Sequence, residues 1–168
     1  TLTSYLKNEY YALYPLYNFY FTRDAAVTLG NHALVCRMAN KVRMRESLIM
    51  DAIYRHSGAF ECSVLDANAQ PEGSQVIMEG GDIIIAREDI LIIGNGVRTT
   101  PQGIDFMIDN FRRCCPGGNG YVLVQQLPSE PESFIHLDMV FTLLDKDKCM
   151  VFKPLIMQAN QYQTVQIT

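Results

Sequence analysis

Met78-Glu79-Gly80-Gly81-Asp82-Ile83-Ile84-Ile85-Ala86 sets two acids around a glycine pair and then runs into an apolar, β-branched stretch. The same arrangement, an aspartate followed by a strand-like run, recurs at near-equal intervals. Asp24 precedes Ala25-Ala26-Val27-Thr28-Leu29, and Asp138 precedes Met139-Val140-Phe141-Thr142-Leu143. After each run comes a polar turn and a second apolar run, namely Ala33 to Cys36, Ile90 to Ile93 and Cys149 to Phe152. Self-similarity at a fixed period predicts units that cannot bury their apolar faces alone and must share a core. The units fall roughly at residues 13–60, 74–115 and 120–168. A carboxylate at the same place in each unit predicts a common centre where charges meet.

Helical patterns fall between the strands. Glu46 to His56 places Leu48, Ile49, Ala52 and Ile53 on one face, and Arg43 and Arg45 stand just ahead of it. In the second unit Thr100 reads as an N-cap, Pro101 as the first helical residue, and Ile104, Met107, Ile108 and Phe111 as the buried stripe. The order strand, strand, helix, strand predicts an α/β fold of small mixed sheets with helices outside. Asp66 to Ser74, Pro116 to Gly120 and Pro128 to Ser133 read as breaks, the last two flanking a strand over Tyr121 to Gln125.

With 168 residues, 48% hydrophobic and 19% charged, the chain is long enough for one sizeable core. A net charge of −4 disfavours a nucleic-acid partner. No apolar run reaches the roughly 20 residues of a membrane span. Five cysteines, with Cys114 and Cys115 adjacent, give neither a disulfide framework nor metal-ligand spacing, and a reducing, cytoplasmic setting fits them best. The chain opens on Thr1 and closes on Thr168 in a polar stretch, so it is expected to be part of a longer protein.

The chemistry gathers around the spaced aspartates: Asn18-Phe19-Tyr20-Phe21-Thr22-Arg23-Asp24, then Glu79-Gly80-Gly81-Asp82, then His136-Leu137-Asp138, with Arg43 and Arg98 downstream of the first two. The glycine pair allows close backbone approach or a positive φ. On a strand, His136 and Asp138 would share a face, and a histidine beside a carboxylate is a candidate proton shuttle. Singly, each signal has an ordinary reading. An aspartate at a strand end caps a turn, a Gly-Gly pair bends the chain, and arginines ahead of a helix are solvated or pair with an acid such as Glu46. Their equivalent places in the repeat raise the joint reading.

These segments resemble the arginine deiminase family of guanidino-group-modifying enzymes: the Asn18 to Asp24 run, Met78 to Asp82, Arg98-Thr99, and His136-Leu137-Asp138-Met139-Val140-Phe141-Thr142, over roughly Leu13 to Pro154. The resemblance implies a five-bladed α/β propeller of ββαβ units, of which about three are present. It also implies hydrolysis of L-arginine to L-citrulline and ammonia without metal or other cofactor. By resemblance, Asp24 and Asp138 bind the substrate guanidinium, His136 is the general acid and base, and Glu79 supports it. Arg43 and Arg98 hold the α-carboxylate, and Asn18, Phe21 and Asp82 line the pocket. The family's nucleophilic cysteine lies well beyond the His-x-Asp segment, and no cysteine here matches it. Cys36 and Cys149 read as small core residues, with Cys62, Cys114 and Cys115 outside the site. This chain alone is therefore expected not to turn over arginine. Ala25 and Val97 depart from the family's usual proline and acidic residue. A dimethylarginine hydrolase or amidinotransferase, a non-catalytic arginine-binding module, and a purely structural repeat remain as alternatives. An open set of blades exposes apolar edges, so a homo-oligomer is expected.

Overall fold

The structure is a computed structural model that describes residues 15, 16, 18–114 and 120–167. The expected start of the first unit at Leu13, the end of the second at Cys115 and the break over Pro116 to Asn119 lie outside the described residues.

Each of the three aspartates sits on one helical turn that opens directly into a hairpin. The turn Thr22–Ala25 (α1) leads into β1 (Ala26–Leu29) and β2 (His32–Val35). A 3-10 turn at Gly80–Asp82 leads into β4 (Ile83–Arg87) and β5 (Ile90–Asn95), and another at Leu137–Met139 leads into β7 (Phe141–Asp145) and β8 (Lys148–Val151). All three hairpins are antiparallel. In the first two units a helix follows, α2 (Met44–His56) or α3 (Pro101–Cys114), and the chain returns as a strand parallel to the second hairpin strand. These return strands are β3 (Ser63–Asp66), beside β2, and β6 (Tyr121–Gln126), beside β5. The third unit departs from this order. Its helix is the single turn α4 (Lys153–Ile156), and Asn160 follows by donating its side-chain amide to the carbonyls of Pro154 and Leu155. The last strand, β9 (Thr164–Ile167), pairs antiparallel with β6 of the second unit.

The second helix follows its sequence pattern. Thr100 Oγ1 accepts the Gly103 amide at 3.1 Å, Pro101 opens the helix, and Ile104, Met107, Ile108 and Phe111 are buried. They pack into a core with Leu29, Leu34, Met78, Leu91, Ile93 and Val122, which fastens the first two sheets together. A smaller cluster of Ile84, Leu127, Leu137, Val140 and Leu155 ties the third hairpin to the second sheet.

The first helix contradicts its pattern. Leu48, Ala52 and Ile53 are exposed, and the inward face carries buried Glu46 and Ser47 with Met50 packed against the core. A buried arginine beside this helix needs a carboxylate more than the core needs another leucine, and that requirement orients α2. Cys149 also departs from expectation: it is exposed on β8, whereas Cys36 is fully buried.

Candidate active site

The three turns meet at their aspartate ends, and glycine makes the meeting possible. A Cβ on Gly80 would collide with the Arg23 carbonyl, and one on Gly81 would lie 2.7 Å from Cγ and Nδ1 of His136. Among the described glycines only Gly30 and Gly58 take a positive φ, so the pair at 80 and 81 serves close approach rather than a left-handed bend.

Asp24, Glu79 and His136 are all buried, and their ligating atoms lie within 4.8 Å of one another. His136 Nε2–H donates to Glu79 Oε2 at 3.0 Å, and Nδ1 lies 3.9 Å from Asp24 Oδ1. Burial alone would lower the imidazole pKa. The hydrogen bond to Glu79 and the charges of Asp82, Asp24 and Glu79 outweigh it and raise the pKa above the ordinary value. Glu79 moves the other way. Burial would raise its pKa, but the His136 bond, the Arg98 charge and the Ala39 amide at 3.0 Å hold it below the usual carboxylate range. The pair thus favours imidazolium beside carboxylate, a proton donor fixed in position.

Asp82 is fully buried beneath this pair. Thr99 Oγ1 donates to its Oδ2 at 2.6 Å and the Leu137 amide to its Oδ1 at 2.9 Å, so it ties the His136 segment to the Arg98 segment. Burial pushes its pKa up to about 7 against those two donors.

His136 and Asp138 do not share a strand face. His136 caps the 3-10 turn that contains Asp138, and the turn sends the two side chains apart. Asp138 is partly exposed and lies 3.7 Å from Arg23 Nε, at the edge of a cavity of about 700 Å³ lined by the first strands of the three hairpins. Burial raises the Asp138 pKa against the charges of His136 and Arg23. Arg98 Nη1 reaches Glu79 Oε1 at 3.4 Å with its side chain still a quarter exposed. Arg43 is buried: Nη1 lies 2.7 Å from Asp24 Oδ2, and Nε and Nη2 both donate to Glu46 Oε2 at 3.0 and 2.8 Å. Asn18 meets this cluster through its carbonyl, 3.4 Å from Arg43 Nη2, and Phe21 is half exposed, its ring tilted against Tyr20.

Three participants were not singled out as site residues in the sequence. Glu46 stood there only as an ordinary ion-pair partner, while Arg23 and Thr99 lay inside quoted motifs without a role. Cys36 adjoins the acids, but burial first and the Glu79 and Asp24 charges next push its thiol pKa far up, which makes it a poor nucleophile.

The family model for arginine deiminase matches residues 2–168 of this chain. The chain belongs to the arginine deiminase family. It is 31% identical over 164 residues to arginine deiminase 1 of Staphylococcus epidermidis, covering 95% of this chain and 38% of that protein. With the arginine deiminase of Listeria monocytogenes it shares 33% over 134 residues, 78% of this chain and 31% of the relative. The chain therefore spans well under half the length of the relatives it matches. Among solved structures it resembles a variant dimethylarginine dimethylaminohydrolase of Pseudomonas aeruginosa complexed with citrulline, with a TM-score of 0.64 and 20% identity over 79% of this chain and 46% of that one. The N-terminal domain of ArgZ, a cyanobacterial arginine dihydrolase bound to substrate, gives 0.62 and 22% over 80% and 44%. Both likenesses show that the hairpin units share the mixed α/β fold of those two proteins.

Proposed function

We propose that the chain supplies the proton-transfer and guanidinium-binding half of an arginine deiminase, which hydrolyses L-arginine to L-citrulline and ammonia. The observation that carries this reading is the buried imidazole held between Glu79 at 3.0 Å and Asp24 at 3.9 Å, with its pKa raised.

A guanidinium is resonance-stabilised and a poor electrophile, so carboxylates must hold and localise its charge while a thiolate attacks the central carbon. Asp24 and Asp138 are the acids for that role, since planar forked donors suit carboxylate pairing. The thiolate comes from a cysteine outside this chain and forms the C–S bond. The C–N bond then breaks, and His136 passes its proton to the departing ammonia. The neutral imidazole next takes a proton from water as the water adds to the same carbon, and the C–S bond breaks to return the thiolate. Glu79 keeps the ring protonated for the first step, and Asp82 and Thr99 hold its segment. Arg98, partly exposed, is placed to meet the substrate carboxylate, with Arg43 as its counterpart. Asn18 and Phe21 border the same side.

The complete propeller takes further blades beside the three units here, at roughly 13–60, 74–115 and 120–168. Exposed Leu143, Leu144 and Met150 on the third hairpin suit cover by further blades or a second copy, which supports a homo-oligomer. Among the described residues no helix is long and apolar enough to cross a membrane, and the free thiols of Cys36, Cys62, Cys114 and Cys149 suit the reducing cytoplasm. The test is citrulline release from L-arginine by this chain and by the full-length protein. Release by the full-length protein alone agrees with the proposal. Release by the short chain would move the nucleophile into it, and silence in both would favour an arginine-binding module.

A further inference from the structure

The guanidinium of Arg43 already stands where the proposed function needs the substrate's. Its Nη1 lies 2.7 Å from Asp24 Oδ2 and 3.6 Å from Glu79 Oε2, and all three side chains are nine-tenths or more buried. A second guanidinium brought to Asp24 would meet a like charge in a site with little water to screen it. Arg43 therefore has to yield. The donors on its other edge show how it can do so without leaving. Nε and Nη2 both rest on Glu46 Oε2, three residues along the same chain segment, and Glu46 is 2% exposed. Swinging Nη1 off Asp24 leaves both of those bonds in place.

We propose that Glu46 is a positioning residue for substrate binding: it is the pivot on which Arg43 moves from Asp24 to the incoming carboxylate as a guanidinium takes Asp24. This inference rests on the proposed arginine site and adds a competition within it. Arg43 opposes a bare guanidinium, because it must be displaced. It favours a guanidinium that carries a carboxylate, because the displaced arginine gains a new partner. The device selects free arginine over simple guanidines.

The experiment uses full-length protein and two ligands, L-arginine and methylguanidine, the second having no carboxylate. Dissociation or competitive inhibition constants are measured for the wild type, Glu46→Gln and the double variant Arg43→Met/Glu46→Gln. The double variant removes the Arg43–Glu46 pair together and leaves Asp24 open to the ligand's guanidinium. It is expected to bind methylguanidine roughly tenfold more tightly and L-arginine roughly tenfold more weakly, the scale of a lost charge-assisted contact. Glu46→Gln, which leaves Arg43 with Asp24 as its nearer anion, is expected to weaken methylguanidine instead. A scaffold role alone would weaken both ligands in both variants, and that result overturns the inference. So does unchanged methylguanidine affinity in the double variant. Should circular dichroism show that variant unfolded, Arg43→Lys keeps the charge but cannot span both acids; tighter methylguanidine binding supports the pivot, and wild-type affinity overturns it. Absence of citrulline release by the wild type would instead sink the arginine reading, and methylguanidine binding still decides the competition.

Discussion

Replacing Asp82 by asparagine should flatten the dependence of stability on pH. Burial raises the Asp82 pKa from 3.8 to about 7, so the folded chain holds this proton more tightly than the unfolded chain does. The stabilisation is complete below pH 3.8, declines as pH rises, and is gone above about 7. At about 1.36 kcal/mol per pKa unit it amounts to on the order of 4 kcal/mol, of which roughly 2.5 kcal/mol is lost between pH 5 and 8. Asparagine keeps the geometry: its oxygen can accept the Leu137 amide and its nitrogen can donate to the Thr99 hydroxyl, which lies 2.6 Å from the present carboxylate. It has no proton to lose. His136, whose pKa is raised in part by the Asp82 charge, loses stabilisation above pH 6.5, and loses less in Asp82→Asn, which adds to the wild type's fall; Glu79, with its lowered pKa, loses it below 4.5 in both. Urea unfolding at pH 5, 6, 7 and 8 should show the wild type falling by at least about 2.5 kcal/mol more than Asp82→Asn. Parallel curves would refute the assignment of the buried proton to Asp82.

Other consequences follow from the same contacts. Gly81→Ala places a methyl 2.7 Å from the His136 ring, so the ring should leave Glu79 and its pKa, read by NMR titration, should fall toward 6.5; an unchanged value would contradict the contact. Thr99→Val removes the donor at 2.6 Å from Asp82 and should cost about 1–3 kcal/mol above pH 7, where the carboxylate is charged, while Thr99→Ser should cost little. With a thiol-alkylating reagent and mass spectrometry, exposed Cys149 should label first and buried Cys36 only on unfolding; early labelling of Cys36 would mean that the acid cluster opens in the native chain.

What the sequence disclosed was periodic, and what it concealed was charge. Three aspartates ahead of three apolar runs were enough to expect the hairpins, and Thr100-Pro101 with its apolar stripe located α3. The apolar stripe of α2 misled, because periodicity records where hydrophobic side chains recur, and in this helix a buried arginine claimed the inward face through Glu46. The His-x-Asp spacing misled in a similar way: as a strand it would align His136 with Asp138, but a 3-10 turn sends one to Glu79 and the other toward Arg23. Arg43 was legible as part of the site, yet its lodging on Asp24 depends on the packing of α1 against α2, which residue spacing does not encode. The glycine pair reads in the sequence as room for a ligand or a positive φ; in the structure it admits the Arg23 carbonyl and the His136 ring, 57 and 55 residues away, which come into view only once the turns converge.

The pairing of Glu79 with His136 is the proton donor on which the proposed arginine hydrolysis depends. The decisive measurement is the rate of citrulline release from L-arginine by the full-length protein, wild type beside Glu79→Gln. Citrulline formation by the wild type and a loss of at least about 100-fold in the variant are predicted. No citrulline from the wild type, or an undiminished rate in Glu79→Gln, would contradict the account.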